Sequence, residues 1–382
     1  MIYLDNCATT KPRREVVDVV VKALTEDFAN PSSLHSLGFE VEKEIEISRK
    51  NIADLINSNP SEVYFTSGGT EGNNIAINGL INKNTRLGNK IITTSIEHSS
   101  VLDKMRSYRD KGFEVVEIGV DRYANLDTNK LYSSIDSNTI LLSLSHVNNE
   151  IGTINELEEI VKKVKSINEN ILVHVDGVQA FGKIPVDVKK INCDTYSASG
   201  HKIYGPKGIG ALYIKNSVQI KPLVLGGGQE KGIRSGTENV PGILGLGKAA
   251  ECVNNNFKCE YEHAVEIKQY LIEKIRNSIK DFEFNSPKNS SPYILSISIR
   301  DTRAEVLLHY LEQDEIYIST ASACTSNGTH KSHVLSELKI DDSLVEGTIR
   351  VCISKDISKK DIDEFVERLT VYVNEIREIM KR

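Results

Sequence analysis

The stretch "CDTYSASGHKIYGPKG", residues 193–208, decides how the chain is read. Its first half has the apolar, β-branched and aromatic character of a buried strand. It then breaks into a Ser-Gly-His turn that presents a lysine, Lys202. In open α/β sheets, ligand sites gather where strands end. Ser199 and His201 offer donors suited to an anion, and the Lys202 amine suits a Schiff base with a carbonyl cofactor. A lone lysine in a turn is by default a solvated side chain, so the neighbourhood must decide.

Outward from this stretch, six more strand-like runs punctuate residues 60–215: "EVYFTSG" (62–68), "KIITTSIEH" (90–98), "FEVVEIG" (113–119), "TILLSLSHV" (139–147), "ILVHVDG" (171–177) and "GALYIK" (210–215). Helix-like segments lie between several of them. In "NELEEIVKKVKSI" (155–167), Leu157, Ile160, Val161, Val164 and Ile167 share one face, and "EVEKEIEISRKNIADLI" (40–56) is amphipathic. Strand–helix alternation predicts an α/β fold with a large domain around a mostly parallel sheet, residues 1–250. After about 250 the pattern changes to a long charged helix (260–280), "YILSISI" (293–299), a helix (303–313), "EIYIST" (315–320), "TIRVCIS" (348–354) and a final helix (358–380). This predicts a smaller C-terminal α+β domain, residues 251–382, with residues 1–15 packing against it.

Three further strand ends supply the chemistry that Lys202 alone lacks. Asp176, in "HVDGVQ", ends an apolar strand, where a carboxylate is costly without a partner. A pyridinium N–H is such a partner, though a helix N-cap is the plainer role. "SGGTEGNN" (67–74) follows a strand and opens a helix, so its backbone N–H groups and the Thr70 hydroxyl suit a phosphate. His98, in "SIEHSS", stands where an imidazole can stack on a flat ring. Each signal is weak alone, and together they describe a pyridoxal 5'-phosphate site. The remaining glycine runs lack the strand–turn–helix setting of a dinucleotide site.

Bulk properties narrow the setting. In 382 residues, 39% are hydrophobic and 26% charged, and the net charge of −6 is spread along the chain without a basic patch, so no nucleic-acid partner is expected. "MIYLDNCATT" has no basic stretch before an apolar one, and no run is long enough for a membrane span. The expectation is a cytoplasmic protein that does not engage membranes, its six cysteines reduced. None of the six forms a CxxC pair. Cys324 stands out in "TASACTSNGT" (320–329), among small polar residues rather than core neighbours.

"YLDNCATT", "NPSSLH", "TSGGTEGNN", "HVNNEIG", "HVDGVQ", "SGHKIYGPKG", "RSGTEN" and "SACTSNG", in this order over nearly the whole chain, resemble the motifs of NifS/IscS-type cysteine desulfurases, in the class-V aminotransferase branch of fold-type-I pyridoxal phosphate enzymes. The resemblance implies a homodimer acting on L-cysteine. Lys202 would carry the cofactor, Asp176 would pair with the pyridine nitrogen and Gln179 with the ring oxygen. His98 would stack on the ring and move protons. Gly69, Thr70, Ser199 and His201 would hold the phosphate, with Thr237 coming from the other subunit. Asn149 would touch cofactor and substrate, and Arg350 would pair with the substrate carboxylate, which suits a bidentate guanidinium.

It also explains Cys324. Family enzymes release alanine and leave the sulfur as a persulfide on an enzyme cysteine, and a small polar segment suits a thiol that must travel to the cofactor and then to an acceptor protein, such as an iron–sulfur scaffold or a thiolation protein. The other cysteines, Cys7 included, are expected to be structural. The sequence departs from the pattern at Gln229, where many relatives have histidine, and in a histidine pair, His330 and His333, which with Cys324 raises metal binding as an alternative to simple solvation. Little chain follows the last helix, so docking through a C-terminal extension is not expected. A selenocysteine lyase and a class-V aminotransferase are the alternatives within enzymes, and Cys324 counts against the second. A non-catalytic sulfur-relay protein is the alternative outside them, and Lys202, Asp176 and Cys324 together count against it.

Overall fold

The computed structural model describes residues 1–320 and 332–380. The chain opens with a short strand, β1 (Ile2–Tyr3). A seven-stranded sheet follows, built from β2 (Val63–Thr66), β3 (Lys90–Thr94), β4 (Glu114–Ile118), β5 (Thr139–Ser145), β6 (Leu172–Asp176), β7 (Thr195–Ser199) and β8 (Gly210–Ile214). Each lies inside one of the seven runs read from the sequence. Their order is β2-β8-β7-β6-β5-β3-β4. The pairs β7/β6, β6/β5, β5/β3 and β3/β4 are parallel, and only β8 runs against its neighbours. All residues of β3, β5, β7 and β8 are buried, as expected of a sheet covered on both faces.

A second sheet, order β12-β13-β10-β9, is antiparallel and is made from β9 (Phe282–Phe284), β10 (Ile294–Ile299), β12 (Ser319–Thr320) and β13 (Thr348–Cys352). β11 (Ile316–Tyr317) pairs in parallel with β1. The run "EIYIST" thus divides: its first part pairs with the N-terminus and its last part with β13. One large apolar cluster reaches from Ile2 and Leu4 through β5 and β6 to Ile349 and Val351, so the two sheets share a core.

The helix expected near 260–280 runs from Val240 to Ser278, straight across position 250. Its first turns, "VPGILGLGKAA", are glycine-rich and read poorly as helix on propensity. Packing supplies the reason: a Cβ at Gly247 would collide with Ser48 of the helix Ser36–Leu55. Close approach of the two helices requires glycine there, and tertiary contact outweighs propensity.

Candidate active site

Successive parallel strands deliver their carboxyl ends to one place. Past β2 come Gly69 and Thr70, past β3 His98, past β5 Asn149, at the end of β6 Asp176, at the end of β7 Ser199, and past it His201 and Lys202. Those residues, with Gln179 and Arg350, line one cavity of about 300 Å³. Thr237 is not among them. It lines a separate depression with Ser67 and Arg234. Cys324 and His330 lie outside the described residues. His333 does not line the cavity but stands behind its wall, its Nε2 donating to the Glu97 carbonyl at 3.0 Å. Among the described residues no group of histidines, cysteines and carboxylates is placed to hold a metal.

At one end the helix Gly69–Asn84 points its N-terminus into the cavity. Gly68, before it, has φ +154°, a conformation open to glycine, and this sets the turn. Glu71 accepts from the Ser67 N–H and from Arg234 Nε at 3.2 Å, so this first turn is braced. The free amides, the helix dipole and the hydroxyls of Thr70 and Ser199 make an anion site. Burial and nearby Lys202, Lys207 and Lys183 lower His201 to about 4, so it stays neutral there.

Asp176 is buried and tied down. One oxygen accepts from the Val178 N–H at 3.0 Å and the other from Asn73 Nδ2 at 2.8 Å. Asn73 is held by His174, whose Nε2 donates to Asn73 Oδ1 at 3.1 Å while its Nδ1 accepts from the Thr195 hydroxyl at 2.8 Å. Burial lowers His174 to about 3, which keeps it neutral. The row Thr195–His174–Asn73–Asp176 fixes one carboxylate against the cavity. Asn73 was not singled out from the sequence. Its signal was a polar side chain on the apolar face of a helix, one turn before the fully buried Ile77.

His98 caps the helix Ser99–Arg106, its Nδ1 accepting from the Ser100 N–H at 3.1 Å. The neutral ring therefore carries its proton on Nε2. Burial first, then Lys202 and His333, lower its pKa against the pull of Asp176. Lys202 Nζ donates to the backbone oxygens of Cys7 and of Ala8, the latter at 2.9 Å. Gln179 Nε2 donates to the same Cys7 oxygen at 3.0 Å. Behind it, buried Lys183 donates to Gln179 Oε1 at 3.2 Å, and burial, Lys202 and Arg350 bring it down to about 7. Arg350 is buried, donating to Asn149 O at 3.0 Å, Asp5 Oδ1 at 3.1 Å and Ser319 Oγ at 3.1 Å. Lys202 and Arg350, which line it, make this a cavity for anions.

The profile of the class-V aminotransferase family matches residues 2–365. The chain belongs to the class-V aminotransferase family. Among curated relatives, cysteine desulfurase IscS of Dictyoglomus turgidum is 39% identical over 379 residues, 99% of this chain and 96% of that one. Its counterpart from Methanosarcina thermophila is 39% identical over 376 residues, 98% and 93% of the two chains. Among solved structures, a NifS-like protein superposes with a TM-score of 0.92 at 34% identity, covering 98% of this chain and 99% of that one. SspA in complex with cysteine superposes at 0.82, 32% identical over 93% and 99%.

One cysteine departs from expectation. Cys7 was expected to be merely structural, but it lines the cavity and stands against Cys352, their Cα atoms 5.6 Å apart. They stand 345 residues apart, so no spacing pattern could disclose the pair. Gln229, the departure from the family pattern, accepts from the Gly236 N–H at 2.9 Å and braces the loop that carries Thr237.

Proposed function

We propose that the protein is a pyridoxal phosphate-dependent cysteine desulfurase, which converts L-cysteine to L-alanine and moves the sulfur to Cys324 as a persulfide, for an acceptor in iron–sulfur assembly or thiolation. The observation that carries this is one cavity holding an amine, Lys202, and a braced carboxylate, Asp176, with a helix N-terminus at one end and a guanidinium, Arg350, at its edge. This donor set fits a phosphorylated pyridine aldehyde. Gly69, Thr70, Ser199 and His201 would take the phosphate, Asp176 the ring nitrogen, Gln179 the ring oxygen and Lys202 the carbonyl carbon.

The bound cofactor supplies an electron sink for the substrate amino acid. Asp176 holds the proton on the ring nitrogen. His98 would lie against the ring, and its Nε2, left free by the Nδ1 contact with Ser100, would move protons. Arg350 and Asn149 orient the substrate, Arg350 by its carboxylate. The Cys324 thiolate would attack the substrate sulfur: an S–S bond forms as the C–S bond breaks, and the carbon keeps the bonding pair and takes a proton to become alanine. The sheet part, to about residue 250, holds the cofactor. The part after it carries Arg350 and the Cys324 segment.

The active unit is a homodimer in the cytoplasm. Phe28 (69% exposed), Leu34, Leu37 and Phe39 form an apolar, open stretch beside the body of the chain, which a second copy would cover. Thr237, away from its own cavity, would then complete the partner's phosphate site. Among the described residues no helix is long and apolar enough to cross a membrane.

Incubation of the purified protein and cofactor with L-cysteine should release alanine and leave one extra sulfur on the Cys324 peptide. No alanine would rule out the reading. Asp176→Ala should cost roughly 10³-fold in alanine release, and Asp176→Glu about tenfold, since a carboxylate remains to hold the ring proton. Equal rates in the two variants would reduce Asp176 to a cap of the Val178 amide.

A further inference from the structure

Cys7 and Cys352 belong to two parts of the site that must act together. Their Cα atoms are 5.6 Å apart, within the range a disulfide spans, and both side chains are buried. Cys7 ends an N-terminal strap whose carbonyl accepts from Lys202 and Gln179. Cys352 ends β13, two residues beyond Arg350. Weak bonds already lay the strap on the strand: the Cys352 N–H donates to Leu4 O at 2.7 Å, and Asn6 Nδ2 donates to Cys352 O at 3.0 Å. Asp5, on the strap, holds Arg350.

We propose that Cys7 and Cys352 form a redox switch of the site, with the dithiol as the substrate-binding form and the disulfide as the resting form. The inference rests on the reading of Arg350 as the carboxylate receptor. In the bonded form the two terminal nitrogens of the guanidinium are held by Asp5, Ser319 and the Asn149 carbonyl, and among the described residues its Nε has no partner. Of these partners Asp5 alone carries a competing carboxylate, and drawing it away with the strap from β13, which the covalent link opposes, frees Nη2 for a substrate carboxylate. The oxidant is a low-molecular-weight disulfide. The Cys7 thiolate attacks one of its sulfurs and expels a thiol, leaving a mixed disulfide on Cys7. The Cys352 thiolate then attacks the Cys7 sulfur and expels a second thiol. Two protein thiols are oxidised and one small disulfide becomes two thiols, so atoms and electrons balance. Cys7 lines the cavity, so a small disulfide that enters it meets the Cys7 sulfur. Cystine, the disulfide of the substrate, carries carboxylates suited to that cavity. Among the described residues the remaining cysteines lack this setting: Cys193 is buried away from the cavity, and Cys252 and Cys259 lie on the helix Val240–Ser278.

The test uses holoenzyme carrying Cys324→Ala, so that cystine cannot act through that thiol. The protein is reduced with a phosphine, desalted, and divided. One half is treated with cystine. Alkylation and non-reducing peptide mapping should find the Cys7 and Cys352 peptides linked only in the treated half, and separate again after phosphine. Titration with L-alanine, which has no thiol, followed by the cofactor's visible absorbance, should show about tenfold weaker binding to the oxidised half. A Cys324→Ala/Cys352→Ser protein should bind L-alanine equally before and after cystine. No linked peptide, or one alanine affinity for both halves, would overturn the switch. If wild-type enzyme released no alanine from L-cysteine while the two halves still differed in binding, the desulfurase reading would fail and the switch would stand.

Discussion

Lys202→Ala should give a folded protein that holds cofactor without covalent attachment and releases alanine from L-cysteine roughly 10³-fold more slowly, or not measurably. The amine is the group that the cavity contributes to a carbonyl, and it stands at the turn after β7, where the strand's register fixes it. Its loss does not strand the backbone it touches, because the Cys7 oxygen keeps the Gln179 amide and the Ala8 oxygen belongs to an exposed residue that water can reach. The nearest substitute, Lys183, is engaged by Gln179 and fully enclosed, so it should not take over. Borohydride reduction of the wild type followed by peptide mapping checks the assignment directly. A label on Lys183, or unchanged activity in the alanine variant, would refute it.

Cys324→Ala should lose alanine release by a comparable factor while keeping every property of the cavity. Asp176, His98, Gln179 and Arg350 each keep the partners described above, so cofactor colour and the spectral response to L-cysteine should remain. Serine should restore nothing, because a hydroxyl is a far weaker nucleophile towards sulfur than a thiolate. The rate of the wild type should rise with pH as the thiol ionises, until another group limits. Mass spectrometry after a short pulse of L-cysteine reads the result. Extra sulfur on Cys7, with Cys324 unmodified, would transfer the carrier role to the thiol that already lines the cavity.

The parallel sheet was easy to read because each of its strands is a short apolar run closed by a turn, and burial on both faces demands that composition. The site residues at strand ends were readable for the same reason: Asp176 and Lys202 are polar groups placed where an apolar run stops. What escaped was set by contacts between distant parts of the chain. Asn73 acts through Asp176, over 100 residues away, and Cys7 meets Cys352 across almost the whole length. The glycine-rich first turns of Val240–Ser278 are helical because of a neighbouring helix, which no local propensity records. β11 and β12 divide one apparent strand because their partners, β1 and β13, come from opposite ends of the sequence.

The residues flanking the Cys324 segment are fastened to the site itself. Before it, Ser319 is gripped by Arg350. After it, Ser332 donates to the buried Glu150 carboxyl at 2.6 Å and His333 to the Glu97 carbonyl. Burial raises Glu150 to about 7, so near neutrality that anchor alternates between a charged and an uncharged acceptor. Whatever path the chain takes between these moorings, Cys324 stands five positions beyond Ser319. Five residues of extended chain cover at most about 17 Å. This leash defines a sphere outside which the sulfur cannot be handed over. An acceptor with a recessed cysteine must therefore push its own loop inside that radius, and inserting residues between Thr320 and Cys324 should widen the choice of acceptors before it alters the chemistry at Lys202.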